Sequence, residues 1–232
     1  MAALLLTSCD SGQISHFVLD SSESGDVMKI DSLPNLIIYY PHFKKMDLVF
    51  EDMPEKGENG VTMCVGAAYT GELKKKFSHS NIGGNHVGNG RFHSGYPCKA
   101  NTGAFVWYGG KWKFLLGEYA DEVTKAADNH GMAFGQTMII HQGMRQPCHL
   151  RGRTFFRALC EKDGKLCIIE SRRQQDFEYF VKCLGAIKVK HAISLVMGKG
   201  WNYSWFEDNS GVIHDMHPIK GKYATNWIAF YR

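Results

Sequence analysis

Short apolar runs broken by glycine, proline and polar clusters predominate along the chain, and this spacing predicts many short strands and few helices. Residues 36–40 and 47–50 read as two strands separated by Pro41 and polar positions, and 61–69 is apolar at nearly every position, as in a strand buried on both faces. Gly109-Gly110 separates 104–108 from 111–116, and Asp163-Gly164 separates 155–161 from 165–170; both dipeptides tolerate the positive φ angles of a tight hairpin turn. Only two stretches carry helical spacing. Tyr119, Val123, Ala126, Ala127 and His130 form one apolar stripe with Gly131 placed to end it, and Phe177, Phe180, Val181 and Leu184 form another with Gly185 as its stop. The second stripe leads into an apolar run over 192–197. The expected fold is α+β, a mixed β-sheet core with helices packed on it.

Composition narrows the class without changing that picture. At 232 residues, with 44% hydrophobic and 22% charged content, the chain has the make-up of a soluble globular protein with one sizeable core. The net charge of +4 is modest and its basic residues are scattered, Lys74-Lys75-Lys76 being the one lysine triplet. A solvated face explains that triplet, and neither zinc-finger spacing nor a phosphate-binding glycine-lysine loop is present, so no nucleic-acid partner is expected.

The first residues suggest export. Ala3-Leu4-Leu5-Leu6-Thr7-Ser8-Cys9, followed by Asp10-Ser11-Gly12, is patterned like the end of a bacterial lipoprotein signal, without a basic start and with little of the apolar region. On this reading Cys9 carries a lipid anchor, residues 1–30 are a truncated signal and tether, 31–232 form a single domain, and the protein belongs to the bacterial cell envelope. Six further cysteines permit disulfides, although their spacing names no partners. Cys160 and Cys167 flank a hairpin and are placed to face each other, as a disulfide or as buried thiols.

Two segments concentrate chemistry. In 195–205 an apolar run stops at Gly198 and Gly200 and opens into Trp201, Asn202, Tyr203, Ser204 and Trp205, the pattern of a buried strand delivering backbone amides, a stacking surface and hydrogen-bonding groups to a ligand. In 77–93, His79, Asn81, Asn85, His86 and His93 lie among four glycines, a composition that suits a loop converging on a polar ligand. His79 or His86 is suited to move a proton near neutral pH. Hydrogen-bonded histidines in a plain loop are the alternative, and the histidine spacing matches no zinc-ligand motif, so no metal ligands are assigned and no cofactor is named.

The order of features around these segments resembles the phosphodiester glycosidase domain family, the group that includes the mannose 6-phosphate uncovering enzyme. The residues that carry the resemblance are 133–143, the arginine-bearing run 153–159, the hairpin over 161–166, the amphipathic segment ending at Ala186, the glycine segment and the closing run 223–230. It spans roughly residues 60–232 and rests on order more than on one diagnostic motif. The family's Leu-Asp-Gly-Gly loop has Val196 at the aspartate position here, and its asparagine followed by paired aromatics has no clear counterpart near 67–71, which marks a divergent branch.

The resemblance implies an exported hydrolase that cleaves a glycosidic bond in a sugar-phosphate or related glycoconjugate. Arg157, with Arg153 as the alternate, corresponds to the family's strand arginine and would grip the phosphate through its planar fork. His79 or His86 would transfer the proton, while Asn81, Asn85, Gly198, Gly200, Trp201 and Asn202 would bind the sugar. Most glycosidases use two carboxylates; with Val196 in place of one, Glu170, Asp208 and Asp215 are the available substitutes. If none reaches the site, the same scaffold is a noncatalytic glycan-binding lipoprotein. A metal hydrolase centred on the histidine loop is a third reading.

Overall fold

The Gly109-Gly110 and Asp163-Gly164 turns set the register of two hairpins. Gly109 and Gly110 have φ of 58° and 72°, and Asp163 and Gly164 have 51° and 72°. Two consecutive left-handed residues match the twist of the strands they join, here Gly103–Tyr108 with Lys111–Leu116 and Arg157–Lys162 with Lys165–Ser171. The computed structural model describes residues 26–50, 52–69, 82–148, 152–197, 203–216 and 226–232.

The second hairpin is the centre of a seven-stranded antiparallel sheet, in spatial order Met28–Ser32, Leu36–Pro41, Lys165–Ser171, Arg157–Lys162, His191–Ser194, Met138–His141 and Met144–Arg145. A second sheet of five strands runs Ile213–Asp215, Trp205–Glu207, Val61–Gly66, Asn226–Tyr231 and Lys45–Phe50. A third, also of five, runs Arg91–His93, His86–Gly88, Met132–Gln136, Gly103–Tyr108 and Lys111–Leu116. Arg153–Thr154 and Gln175–Asp176 make a separate two-stranded ribbon.

Side-chain alternation decides what each face covers. On the large sheet Tyr39, Leu159, Leu166, Ile168 and Ile193 point into one core, shared with Met46, Met63 and Phe230 of the second sheet and Phe105, Trp112 and Phe134 of the third. The intervening residues Ile38, Ala158, Cys160, Cys167, Ile169 and Ala192 face the other way, under the Phe177, Phe180, Val181 and Leu184 stripe of helix 177–186. Val123 and Ala126 of helix 120–128 cover Val87, Val106 and Ala133 on the outside of the third sheet.

The α+β expectation is therefore corrected: among the described residues the protein is predominantly β. The helices, Ala120–Asp128 and Phe177–Ala186, are only nine and ten residues long and cap the outer faces of sheets that enclose the core among themselves. Strands of two or three residues, such as Arg153–Thr154 and Trp205–Glu207, are too short to show a period in the sequence and account for much of the difference.

The helix stops also differ from expectation. Each helix ends in a Schellman arrangement whose left-handed residue is not glycine: His130 (φ 50°) for the first and Lys188 (φ 59°) for the second. The N–H of Gly131 donates to the carbonyl of Ala126, and that of Val189 to Leu184, each reaching back into the last helical turn. Gly185 lies inside its helix and Gly131 is one residue beyond the left-handed position. Because Lys188 is exposed and carries a Cβ in a conformation that disfavours one, Lys188→Gly is expected to raise stability by about 0.5–1 kcal/mol, read as a higher urea midpoint.

Candidate functional site

Residues that flank the segments of interest converge at one end of the large sheet. The N–H of Val196 donates to the carbonyl of Ala67 (2.9 Å), that of Leu195 to Arg157 (2.9 Å), and that of Gly83 to Tyr69 (3.0 Å). Asn226 brackets Ala68 from both sides: its Oδ1 accepts the Ala68 N–H at 2.7 Å and its Nδ2 donates to the Ala68 carbonyl at 3.1 Å. Ser204 Oγ accepts the Gly66 N–H at 3.2 Å. Ala67, Leu195, Val196 and Ser204, described residues near the ends of those segments, are thus tied to one another or to Arg157.

Alternation along Arg157–Lys162 turns the Arg157 side chain toward the second sheet, where it is fully buried. Its Nε and Nη2 donate to Glu170 Oε2 at 2.9 and 2.6 Å, and its Nη1 donates to Ser204 Oγ at 2.6 Å. Arg157 and Glu170 are directly opposite in the hairpin ladder, so the register fixed by the Asp163-Gly164 turn is what makes the pair. Sequence reasoning found Arg157 and kept Glu170 as a candidate but missed Ser204 and Asn226 as partners. The available signal was a polar residue within an otherwise apolar, aromatic run, since such a group is buried only with hydrogen bonds.

A cavity of about 190 Å³ adjoins this cluster, with Tyr69, Thr154, Phe177, Ser194 and Met197 among its walls and Arg157 on its border. Burial, with the nearby Cys98 as a lesser cause, raises the pKa of the Tyr69 phenol, keeping it a neutral donor. Arg153 is exposed and pairs in the ribbon with Asp176, one residue from the cavity wall.

The histidine stretch divides. His79 and Asn81, together with Gly198, Gly200, Trp201 and Asn202, lie outside the described residues. His86 does not sit in a loop. It belongs to a hairpin, His86–Gly88 with Arg91–His93, closed by Asn89 (φ 51°) and Gly90 (φ 65°), and Asn-Gly is the strongest short hairpin signal a sequence offers. His86 is buried in the third sheet, stacked on His93 at 5.4 Å and edge-on to Phe50 at 5.3 Å, with Nδ1 3.0 Å from the Gly84 carbonyl. Asn85 is exposed just ahead of it. Among the described residues, no member of 82–98 borders the cavity at Arg157.

The remaining carboxylate candidates are committed elsewhere. Asp208 organises a turn, its Oδ1 accepting from Ser210 and Val212 and its Oδ2 facing His214 Nε2 at 2.6 Å; the Ser210 hydroxyl first, then His214, hold its carboxyl well below the usual range. Asp215 pairs with Lys56 at 2.5 Å and accepts from the Tyr203 hydroxyl at 3.1 Å. Cys160 and Cys167 face each other across the ladder, both as buried free thiols. Among the described residues no three histidine, cysteine, aspartate or glutamate side chains are arranged to hold a metal ion, and no helix is long and apolar enough to cross a membrane.

No family model matches this sequence, and no curated protein matches it. In three dimensions the chain is similar to the catalytic domain of zebrafish N-acetylglucosamine-1-phosphodiester alpha-N-acetylglucosaminidase, solved in a form auto-inhibited by its pro-peptide. The TM-score is 0.62, with 92% of this chain and 86% of that chain covered at 11% identity. The two share a fold, that of a phosphodiester glycosidase-like scaffold; identity so low carries no residue-level chemistry.

Proposed function

We propose that this protein is a hydrolase that cleaves a glycosidic bond in a sugar-phosphate or related glycoconjugate, working at the end of the large sheet where Arg157, Glu170 and Ser204 meet. The observation that carries the reading is the backbone convergence there, where Val196 bonds Ala67 and Leu195 bonds Arg157 within a fold shared with a glycosidase catalytic domain. This brings the flanks of the His79 and Trp201 segments to the buried ion pair. In this reading Glu170 is the carboxylate of the site, oriented by two hydrogen bonds from Arg157, and the arginine adds positive charge behind the anionic group. Proton transfer falls to His79, because His86 is packed against Phe50 and His93. Asn202 and the amides near Gly198 and Gly200 orient the sugar against Trp201.

The test is hydrolysis of an N-acetylglucosamine 1-phosphodiester by purified protein, with Glu170→Gln and His79→Ala each expected to lower kcat/KM at least a hundredfold. No turnover over a broad panel of glycosyl phosphodiesters would sink the proposal. One observation favours the noncatalytic rival: Arg157 and Glu170 bond each other, and no carboxylate borders the adjoining cavity among the described residues. The glycan-binding reading predicts saturable binding without turnover. An acylated Cys9 at a bacterial envelope belongs to the same proposal, and mass spectrometry of the N-terminal peptide from the membrane fraction tests it.

A further inference from the structure

The cavity at the start of helix 177–186 is bordered by one buried polar side chain without a partner among the described residues, Ser194, and a second, Gln175, lies beside one of its wall residues. Ser194 is 3% exposed and borders the cavity, and its Oγ has no hydrogen-bond partner among the described residues. Gln175 is 4% exposed, and neither its Oε1 nor its Nε2 has a partner among the described residues. It lies directly opposite Thr154, another residue of the cavity wall, in the two-stranded ribbon, and opposed residues share a face. A buried hydroxyl and a whole buried amide left unsatisfied are each destabilising, so one such group in the wall and another beside a wall residue suit a hydrogen-bonding ligand in the cavity.

The surroundings set the charge of what fits. Ser194 is directly across from Ala158 and therefore on the helix-covered face of the sheet, whereas the Arg157 guanidinium is on the opposite face and bonded to Glu170 and Ser204. Asp176 and Glu178 put carboxylates at the helix start, where an anion would otherwise be welcome. Glu178 is ion-paired with Arg145 and Asp176 is opposite Arg153 in the ribbon, so no cation is called for either. Phe155, Phe156 and Phe177 supply flat apolar walls. A volume of about 190 Å³ corresponds to about six water molecules at ~30 Å³ each, enough for one small ring or side group.

We infer that Ser194 and Gln175 form a subsite for the uncharged part of a ligand, a hydroxyl- or amide-bearing group with an apolar face, and that this subsite excludes phosphate. The inference rests on the cavity being part of the ligand site proposed above, and it assigns specificity to residues outside the ion-pair cluster. Neutral recognition of this kind comes from unpaired donors and acceptors, which reject a ligand unable to satisfy them.

The experiment reads binding without turnover. Isothermal titration of the full chain with glucose, with N-acetylglucosamine and with inorganic phosphate, each also in competition with the others, is compared with Ser194→Ala and Gln175→Leu. At least one sugar is expected to bind and phosphate to leave that binding unchanged. A preference for N-acetylglucosamine identifies the amide, and equal binding identifies the ring hydroxyls. Each variant is expected to weaken binding at least tenfold while melting no lower than wild type, because an unsatisfied buried polar group has been removed. A merely structural role for either side chain would lower the melting temperature instead. Displacement of sugar by phosphate, binding by neither sugar, or unchanged affinity in both variants would overturn the inference. The competition arm stands even if a variant fails to fold. Sugar binding by a protein with no hydrolytic activity would end the catalytic proposal and leave this one intact.

Discussion

Arg157→Ala is expected to destabilise the protein by about 3–5 kcal/mol, one of the two largest effects anticipated here. Removing one partner of a buried pair leaves the other as an uncompensated buried charge, a far larger penalty than the net worth of the pair. Glu170 is 5% exposed and accepts two of the guanidinium's hydrogen bonds, so its carboxylate would lose them without gaining water. Ser204 would also lose its 2.6 Å contact at the joint between the large and second sheets. The control is the double variant Arg157→Met, Glu170→Leu, which removes both charges while keeping much of the volume and is expected to recover most of the loss. Urea midpoints of the wild type, the single variant and the double variant measure this. A single variant within 1 kcal/mol of wild type would show that Glu170 finds other solvation, and the electrostatic account of this end of the sheet would fail.

Much of this arrangement was legible in the sequence. The Gly109-Gly110 and Asp163-Gly164 turns gave the two hairpins, and the latter's register places Glu170 opposite Arg157. The apolar stripes gave both helices and the faces they bury. The helix ends were misplaced because the left-handed position falls on His130, one residue before Gly131, and on Lys188, three residues after Gly185, and not on a glycine. The third-sheet hairpin was missed because the abundance of polar residues in 77–93 outweighed the Asn89-Gly90 signal within it, and this left His86 looking like a loop residue when it is a strand residue with aromatic neighbours. Ser194 and Gln175 give no warning in sequence at all. Their significance lies in partners they lack among the described residues, a property of the folded arrangement and not of local pattern.

Acid is expected to loosen the junction between the large sheet and the third, through His191. Its ring stacks on Phe114 at 5.2 Å and meets His141 edge-on at 4.8 Å, while its Nδ1 faces the Gln142 N–H at 3.4 Å. Beside it Glu161 accepts from Trp112 Nε1 at 2.8 Å and pairs with Lys190 at 2.9 Å, so the same cluster ties Trp112 and Phe114 of the third sheet to the large one. Burial lowers the pKa of His191 from 6.5 to about 4; Glu161 opposes that shift, and His141 and Lys190 reinforce it. The unfolded chain therefore binds a proton that the folded chain resists. The contribution of His191 to stability is complete above pH 6.5, falls as pH drops from there, and is lost by about pH 4. His191→Phe retains a ring against Phe114 and cannot titrate. Its urea midpoint should change less than that of wild type between pH 7 and pH 4. Asp208, held below the usual carboxylate range chiefly by Ser210, loses its own contribution in strong acid equally in both proteins, so the difference between their curves isolates His191. Parallel curves would mean that His191 accepts a proton in the folded state as readily as in the unfolded one, and the junction would then have no acid sensitivity of this origin.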